Sequence, residues 1–299
     1  RDADGDGVAE TVEPFLVNQR QPYGMALKGD TFYVGNTDAV WAFPYKQGET
    51  RITAAGTKLM DTKPEGHWTR NLLLSPDGSK LYVAVGSRGN IDENGLEAES
   101  GRACIYELDL ATNQHRIYGA GLRNPVGMAW EPNSGTLFTV VNERDGLGDE
   151  VPPDYLTSVK DGGFYGWPWA YWGVVDDRVA PNPAMAAKSL VPDYALGGHT
   201  ASLGLCWMPA GTLPGFPEGM AIGQHGSWNR SRLSGYKLVF VEFQNGRPVG
   251  APRDILSGFL GPDEKFSYGR PVGVTIGPDG KSLLMCDDVG DVVWRVTGA

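Results

Sequence analysis

Asp2 opens a run of alternating carboxylates, Asp2, Asp4 and Asp6, and Glu10 follows. Counted from Asp2, these acids occupy positions 1, 3, 5 and 9 around a glycine at position 6, and Glu13 takes position 12. Acids so spaced converge on a hard cation, and the glycine permits the sharp turn. Without an entering helix, the pattern predicts a β-type calcium loop using Asp2, Asp4, Asp6 and Glu10. A solvated acidic turn is the alternative.

Basic groups recur in short Gly-rich stretches. His67 stands in Gly66–Asn71 (GHWTRN), where an imidazole can act as a general base or as a structural donor. His199 and His225 have similar neighbours, and His115 sits in a polar turn where solvation explains it. Arg123 and Asn124 lie within GLRNPVG. A guanidinium there can stabilise an oxyanion, clamp a carboxylate in two-point fashion, or only satisfy loop carbonyls. The stretch 142–150 (NERDGLGDE) offers carbonyls and carboxylates to a cation, or is an acidic loop. His225 to Arg230 (HGSWNR) combine a base, an indole and a guanidinium in six residues. Aromatic residues crowd 164–172, able to wall a flat ligand or to pack beneath a loop. Cys104, Cys206 and Cys286 are far apart beside apolar neighbours, so they read as small buried hydrophobes rather than zinc ligands.

These groups need a scaffold of a particular kind. The chain has 299 residues and a formal charge of −10, which argues against nucleic-acid binding and against docking on anionic lipid. No apolar stretch is long enough for a membrane span. Hydrophobic residues make up 41%, enough for a core, and 42 glycines imply many tight turns and few long helices.

One unit recurs: an apolar run, a polar turn such as Ser75-Pro-Asp-Gly or Gly277-Pro-Asp-Gly, and a second apolar run. Copies begin at Gln21, Arg70, Asn124 and Arg270, with a degenerate copy at Ala201. More polar strands follow at Ala103–Leu110 and Lys237–Phe243. Buried inner strands with half-exposed outer ones are what a radial stack of small sheets requires. The fold expected is therefore all-β, a single β-propeller domain over residues 1–299. Five units are visible, and Arg1–Val17 reads as the outer edge of a further blade. The expectation is a six-bladed ring with most of the first blade absent from this chain. Long stretches at 86–102, 142–169, 171–201 and 225–237 should gather on one face.

Taken together, GHWTRN from Gly66, GLRNP from Gly121, NERD from Asn142, FYGWP from Phe164, QHGSWNR from Gln224, GRPVGV from Gly269 and DDVGDVVWRV from Asp287 resemble the L-sorbosone dehydrogenase family. That family is similar to the soluble glucose and aldose dehydrogenases that use pyrroloquinoline quinone (PQQ). The resemblance covers essentially the whole chain in order. It implies a six-bladed propeller with PQQ on its top face, a calcium ion bridging quinone and protein, and a periplasmic or secreted bacterial location.

By the same resemblance His67 falls on the catalytic base and Arg123 on the arginine at the reactive quinone oxygen, with Asn124 beside it. Backbone carbonyls of Arg144 and Asp145 fall on the calcium ligands, and Arg270 on an arginine for a PQQ carboxylate. His225 and Arg230 lie in the blade that supplies another cofactor contact. Three departures stand out. Ser87 replaces an Asp that supports the base in the glucose dehydrogenases, Val272 replaces a second arginine near Arg270, and the family's N-terminal portion is missing.

The expected reaction is oxidation of an aldose or sorbosone-like aldehyde, with electrons passed to an external acceptor. The rivals are a calcium-dependent lactonase-type hydrolase, which would need carboxylates converging on a central cation, and a non-enzymatic binding propeller.

Overall fold

The computed structural model describes residues 1–298. Sheet 1 is a meander of β1 (Gly24–Lys28), β2 (Thr31–Asn36), β3 (Ala39–Pro44) and β4 (Thr57–Asp61). Sheet 2 repeats it with β5 (Leu72–Leu74), β6 (Lys80–Val85), β7 (Cys104–Asp109) and β8 (His115–Ala120). Sheet 3 begins with β9 (Asn124–Glu131), β10 (Thr136–Asn142) and β11 (Pro153–Ser158), and then the chain makes an excursion. In it β12 (Gly163–Phe164) pairs parallel with β8, stapling sheet 3's loop onto the outer edge of sheet 2. A hairpin of β13 (Ala170–Tyr171) and β14 (Val174–Val175) and the one-turn helix α1 (Pro183–Ala186) follow, before β15 (Tyr194–Gly198) completes sheet 3. Sheet 4 holds β16 (Ser202–Met208), β17 (Gly219–Gln224), β18 (Lys237–Gln244) and β19 (Arg247–Leu256). Sheet 5 holds β20 (Pro271–Ile276), β21 (Ser282–Asp287) and β22 (Val292–Thr297).

The five sheets are blades of a β-propeller. Four core clusters each join two successive sheets. Leu72 and Leu81 pack with Tyr33 and Val40. Met128 and Leu137 pack with Tyr82 and Ile105. Phe138 and Leu156 pack with Met220 and Ile222, and Phe240 packs with Leu283 and Met285. Apolar faces meeting neighbour to neighbour leave only the blade ends free for polar loops. Each fully buried Leu or Phe contributes roughly 1.5–3 kcal/mol.

Inner strands approach backbone to backbone where the repeat carries a glycine. A Cβ on Gly24 would lie 2.3 Å from the Arg70 carbonyl, and one on Gly204 would lie 2.1 Å from the Val272 carbonyl. The corresponding Gly273 of sheet 5 faces nothing within 4 Å.

Two expectations change. Residues before Gly24 carry no strand. β4 already fills the outer edge of sheet 1, and the N-terminal stretch lies beside that sheet rather than on the open edge of the three-stranded sheet 5. Phe15 and Leu16 pack against that sheet as side chains instead, with the Phe15 carbonyl accepting from Ile52 N–H at 2.8 Å. No N-terminal strand joins a blade, and the described residues form five blades, one for each repeat visible in the sequence. Within 142–169, taken as loop, β11 starts on Pro153, a position where a strand tolerates proline.

Candidate functional site

A cavity of about 600 Å³ lies where the ends of the blades converge, and it collects His67, Arg123, Asn124, Asp145 and His225 from four of the predicted motifs. Gly66 (φ +74°) turns the chain into His67, and a Cβ there would sit 2.4 Å from the Arg88 backbone. The His67 amide donates to the Ser87 carbonyl at 3.0 Å. Its Nδ1 lies 2.8 Å from the same carbonyl and 3.1 Å from Ser87 Oγ. A carbonyl only accepts, so Nδ1 carries the proton and Nε2 keeps its lone pair. Burial first, then the charge of Arg123, lowers the His67 pKa to about 3, with Arg102 and Arg70 acting the same way and the Ser87 bond opposing. The ring is neutral in ordinary buffers, the form a general base needs.

Gly86 places Asn124 against His67: a Cβ there would lie 2.2 Å from Asn124 Oδ1 and 2.6 Å from His67 Cβ. Arg123 enters from the start of sheet 3. Its Nε donates to the Asn90 carbonyl (3.0 Å), and Nη1 donates to the carbonyls of Asn142 (3.1 Å) and Glu143 (2.7 Å). Nη2 reaches Asn90 Oδ1 at 3.0 Å and Asp145 Oδ2 at 3.4 Å. All five N–H groups of the guanidinium are engaged with protein oxygens, so it is held firmly and meets an oxyanion by exchanging a bond, the 3.4 Å contact to Asp145 being the longest of them.

Asp145 is a hub. Asn229 Nδ2 donates to its Oδ1 at 2.8 Å, and His199 Nδ1 lies 3.3 Å from the same oxygen. Its carbonyl accepts from Asn90 Nδ2 at 3.1 Å and from Arg144 Nε at 3.3 Å. The Arg144 side chain turns away into a buried ion pair with Asp176. Behind Asp145 lie Glu143 and Asp154. Burial pushes Glu143 up to about 7, against the pull of Arg123, and pushes Asp154 up to about 6. Asp154 accepts from the amides of Glu143 (2.8 Å) and Ala201 (2.9 Å).

Two of the cations expected at the cofactor do not face the cavity. Arg270 donates to the carbonyls of His225 (2.9 Å) and Gly226 (2.6 Å) and lies over the Tyr236 ring. It braces the 225–226 turn from behind, because two free carbonyls and an aromatic face satisfy a guanidinium without a ligand. Arg230 pairs with Glu150. His225 does line the cavity, with Nε2 2.9 Å from Asp288 Oδ1, so an acid rather than a cation accompanies it there. Burial and Arg270 lower its pKa.

Asp2, Asp4, Asp6 and Glu10 do converge, with one oxygen of each within 4.8 Å of the others, on a fully exposed turn. Their carboxylates already cap backbone amides, Asp2 taking those of Gly5 and Gly7. Sequence reasoning gave no role to Tyr23, Trp68, Asp154 and Asp288 and left that of His199 open, since only folding brings them to one place.

A propeller with a polar cavity built from a histidine, a pinned arginine and a carbonyl-rich turn belongs to a recognisable class. The chain is homologous to PQQ-dependent sugar dehydrogenases. Residues 1–153, just over half of it, match the TrAA12-like family, and the chain belongs to that family. A PQQ-dependent pyranose dehydrogenase of Coprinopsis cinerea is 25% identical over 329 residues, covering 90% of this chain and 44% of its own length. An uncharacterised protein of Borreliella burgdorferi is 28% identical, covering 93% of this chain and 76% of its own length. Among solved structures, a calcium structure of Trichoderma reesei family AA12 superposes with a TM-score of 0.77 at 24% identity, covering 91% of this chain and 79% of that one. The holo PQQ domain of the Coprinopsis pyranose dehydrogenase gives 0.74 at 21% identity, with 94% of each chain covered.

The cavity suits a quinone carrying several carboxylates only with a metal. Asn124 Oδ1 and the Tyr23 hydroxyl are buried in its wall without partners, ready for polar atoms of a ligand. Among the described residues Arg123 is the only Lys or Arg in that wall, against Glu143, Asp145, Asp154 and Asp288. A divalent cation would supply the missing positive charge, and the carbonyls and carboxylates at 142–145 are hard oxygen donors of the type calcium takes.

Proposed function

We propose that this protein oxidises an aldose, or a sorbosone-like aldehyde, using PQQ and calcium, as a member of the sorbosone and aldose dehydrogenase group. The observation that carries the proposal is the cavity uniting neutral His67, fixed Arg123 and the oxygen-rich turn at Asn142–Asp145. When bound, PQQ supplies a two-electron acceptor for hydride. Arg123 and Asn124 would hold its reactive edge, and the carbonyls of Arg144 and Asp145 together with the Asp145 carboxylate would hold the calcium. His67 Nε2 accepts the proton of the sugar hydroxyl, or of a hydroxyl of the hydrated aldehyde, while Nδ1–H stays on the Ser87 carbonyl. Electrons then leave to an external acceptor, and the reading carries a periplasmic or secreted location with it.

The lactonase-type rival needs a cage of acids. Among the described residues the only group of three or more His, Cys, Asp or Glu donors within 4.8 Å is the exposed N-terminal one, far in type from an enclosed metal centre. No helix of the described residues is long and apolar enough to cross a membrane.

The proposal includes ring closure by a sixth sheet between sheets 5 and 1. Three features support it. Gly273 lacks the neighbour that Gly24 and Gly204 have. Sheet 5 has three strands where the other blades have at least four. Met25 and Leu27 on one side, and Val292, Val293 and Trp294 on the other, are exposed.

The test is dye reduction by protein reconstituted with PQQ and calcium, over a panel of aldoses and sorbosone. Sugar-dependent turnover that His67→Gln removes supports the reading. Full turnover in that variant removes His67 as the base.

A further inference from the structure

Arg70 and Arg102 are buried guanidiniums with no carboxylate partner among the described residues. Buried charge without a counter-charge is costly unless hydrogen bonds replace the lost water. Here the replacements come from one short stretch of backbone and from Ser87 beside it. Arg70 Nη1 donates to the carbonyls of His67 and Thr69, each at 2.7 Å, and Nη2 donates to Lys63. Arg102 Nη1 donates to the Lys63 carbonyl at 2.7 Å. Its Nη2 donates to the Glu65 carbonyl and lies 3.3 Å from those of His67 and Ser87. Each Nε is left without a partner. The two side chains thus gather five carbonyls, four on segment 63–69 and the fifth on Ser87, the residue that receives His67 Nδ1–H.

We propose that Arg70 and Arg102 are positioning residues for His67, a cationic clamp that fixes segment 63–69 against Ser87 and so presents the Nε2 lone pair to the cavity. This rests on the reading of His67 as the base. It also explains how the chain works with Ser87 in place of a supporting acid. A carboxylate at that position would orient the ring and raise its basicity. The clamp orients the ring through the backbone, and its positive charge adds to that of Arg123 in keeping the imidazole uncharged. The nearest acids, Glu65, Glu99 and Asp38, offset part of its charge without forming an ion pair with it, and Asp38 pairs with Arg20. Glu99 caps the amides of Arg88 (2.8 Å) and Gly89 (2.9 Å), and Glu65 contributes its carbonyl to the clamp and is exposed.

The experiment reads the His67 ring directly, in protein without added cofactor. Histidine-selective ¹⁵N labelling with long-range proton–nitrogen spectra from about pH 4 to 8 distinguishes the two tautomers and the cation. His67→Gln identifies its signal among four histidines. The clamp predicts an Nδ1–H tautomer that does not titrate in this range. Arg102→Met should give mixed tautomers and a ring that begins to protonate within the range. Arg102→Lys keeps the charge and loses the fork, so it should mix the tautomers without bringing on protonation. In reconstituted enzyme the same variants should lower kcat at least tenfold while PQQ affinity changes less than threefold. A wild-type His67 in the Nε2–H form, or one titrating near 6.5, overturns the proposal without any variant. So does a folded Arg102→Met with an unchanged spectrum. If the spectra behave as stated and no sugar is oxidised, the clamp stands and the dehydrogenase reading falls.

Discussion

Gly204→Ala and Gly273→Ala make a matched pair, because both glycines stand at the same place in the repeat. A Cβ on Gly204 would meet Val272 O at 2.1 Å and Val274 N at 2.9 Å. Both are backbone atoms of β20, which cannot swing aside as a side-chain tip can. Forcing β16 and β20 apart costs about 3 kcal/mol, the upper end of what overpacking does in a core. At Gly273 the new methyl meets nothing within 4 Å. Its effect is the reduced entropy of the unfolded chain, about 0.4–1 kcal/mol in favour of folding. Unfolding entropy for a chain of this length is roughly 0.6 kcal/mol/K, so Gly204→Ala should lower Tm by about 5 °C and Gly273→Ala should leave it level or raise it by about 1 °C. Thermal unfolding followed by circular dichroism measures both. Equal losses at the two positions would refute the reasoning, because Gly273 would then have a neighbour as close as that of Gly204. In a protein with a sixth blade seated, Gly273→Ala should become as costly as Gly204→Ala.

Other outcomes follow from the site. His67→Gln should lower sugar oxidation by about 10²–10⁴-fold with PQQ binding retained, since it removes the proton acceptor and leaves Arg123 in place. In the unfolded chain His67 protonates near 6.5 and in the fold near 3, so below pH 6.5 the unfolded state takes up the extra proton and stability falls down to about pH 3. His67→Gln should remove that part of the slope, worth at most about 5 kcal/mol, as read from urea unfolding at several pH values. Glu143 works in the opposite direction: its raised pKa of about 7 gives stability that is lost as pH rises from about 4.5 to 7, and Glu143→Gln should flatten that limb. Asp176→Asn should destabilise by about 3–5 kcal/mol, since it leaves the Arg144 charge buried without its partner.

The blades were legible because their turns are chemically marked. Lys28-Gly-Asp, Ser75-Pro-Asp-Gly and Gly277-Pro-Asp-Gly each sit at the hairpin between the first two strands of a sheet. β11 was hidden by the prolines at 152 and 153, which argue against a strand until one sees that it begins there. The N-terminal stretch packs as side chains beside sheet 1, whose outer edge β4 already fills, and pairing is not written in one strand. In the site, His67, Arg123 and Asn124 were readable because they open inner strands, whose ends must point at one face. Arg270 was readable as a residue and not as an orientation, for nothing in its motif says that the carbonyls of His225 and Gly226 will take its guanidinium. Asp288 stands in the DDVGDVVWRV stretch and Tyr23 in the first copy of the repeat, but neither motif says that the side chain will line the cavity.

The most direct measurement is a titration of metal-stripped protein with PQQ, followed by the quinone's visible absorption, with and without calcium. The account predicts saturable one-to-one binding that calcium strengthens by at least tenfold, and loss of that binding in Arg123→Met. Absence of saturable PQQ binding at any calcium concentration would contradict it.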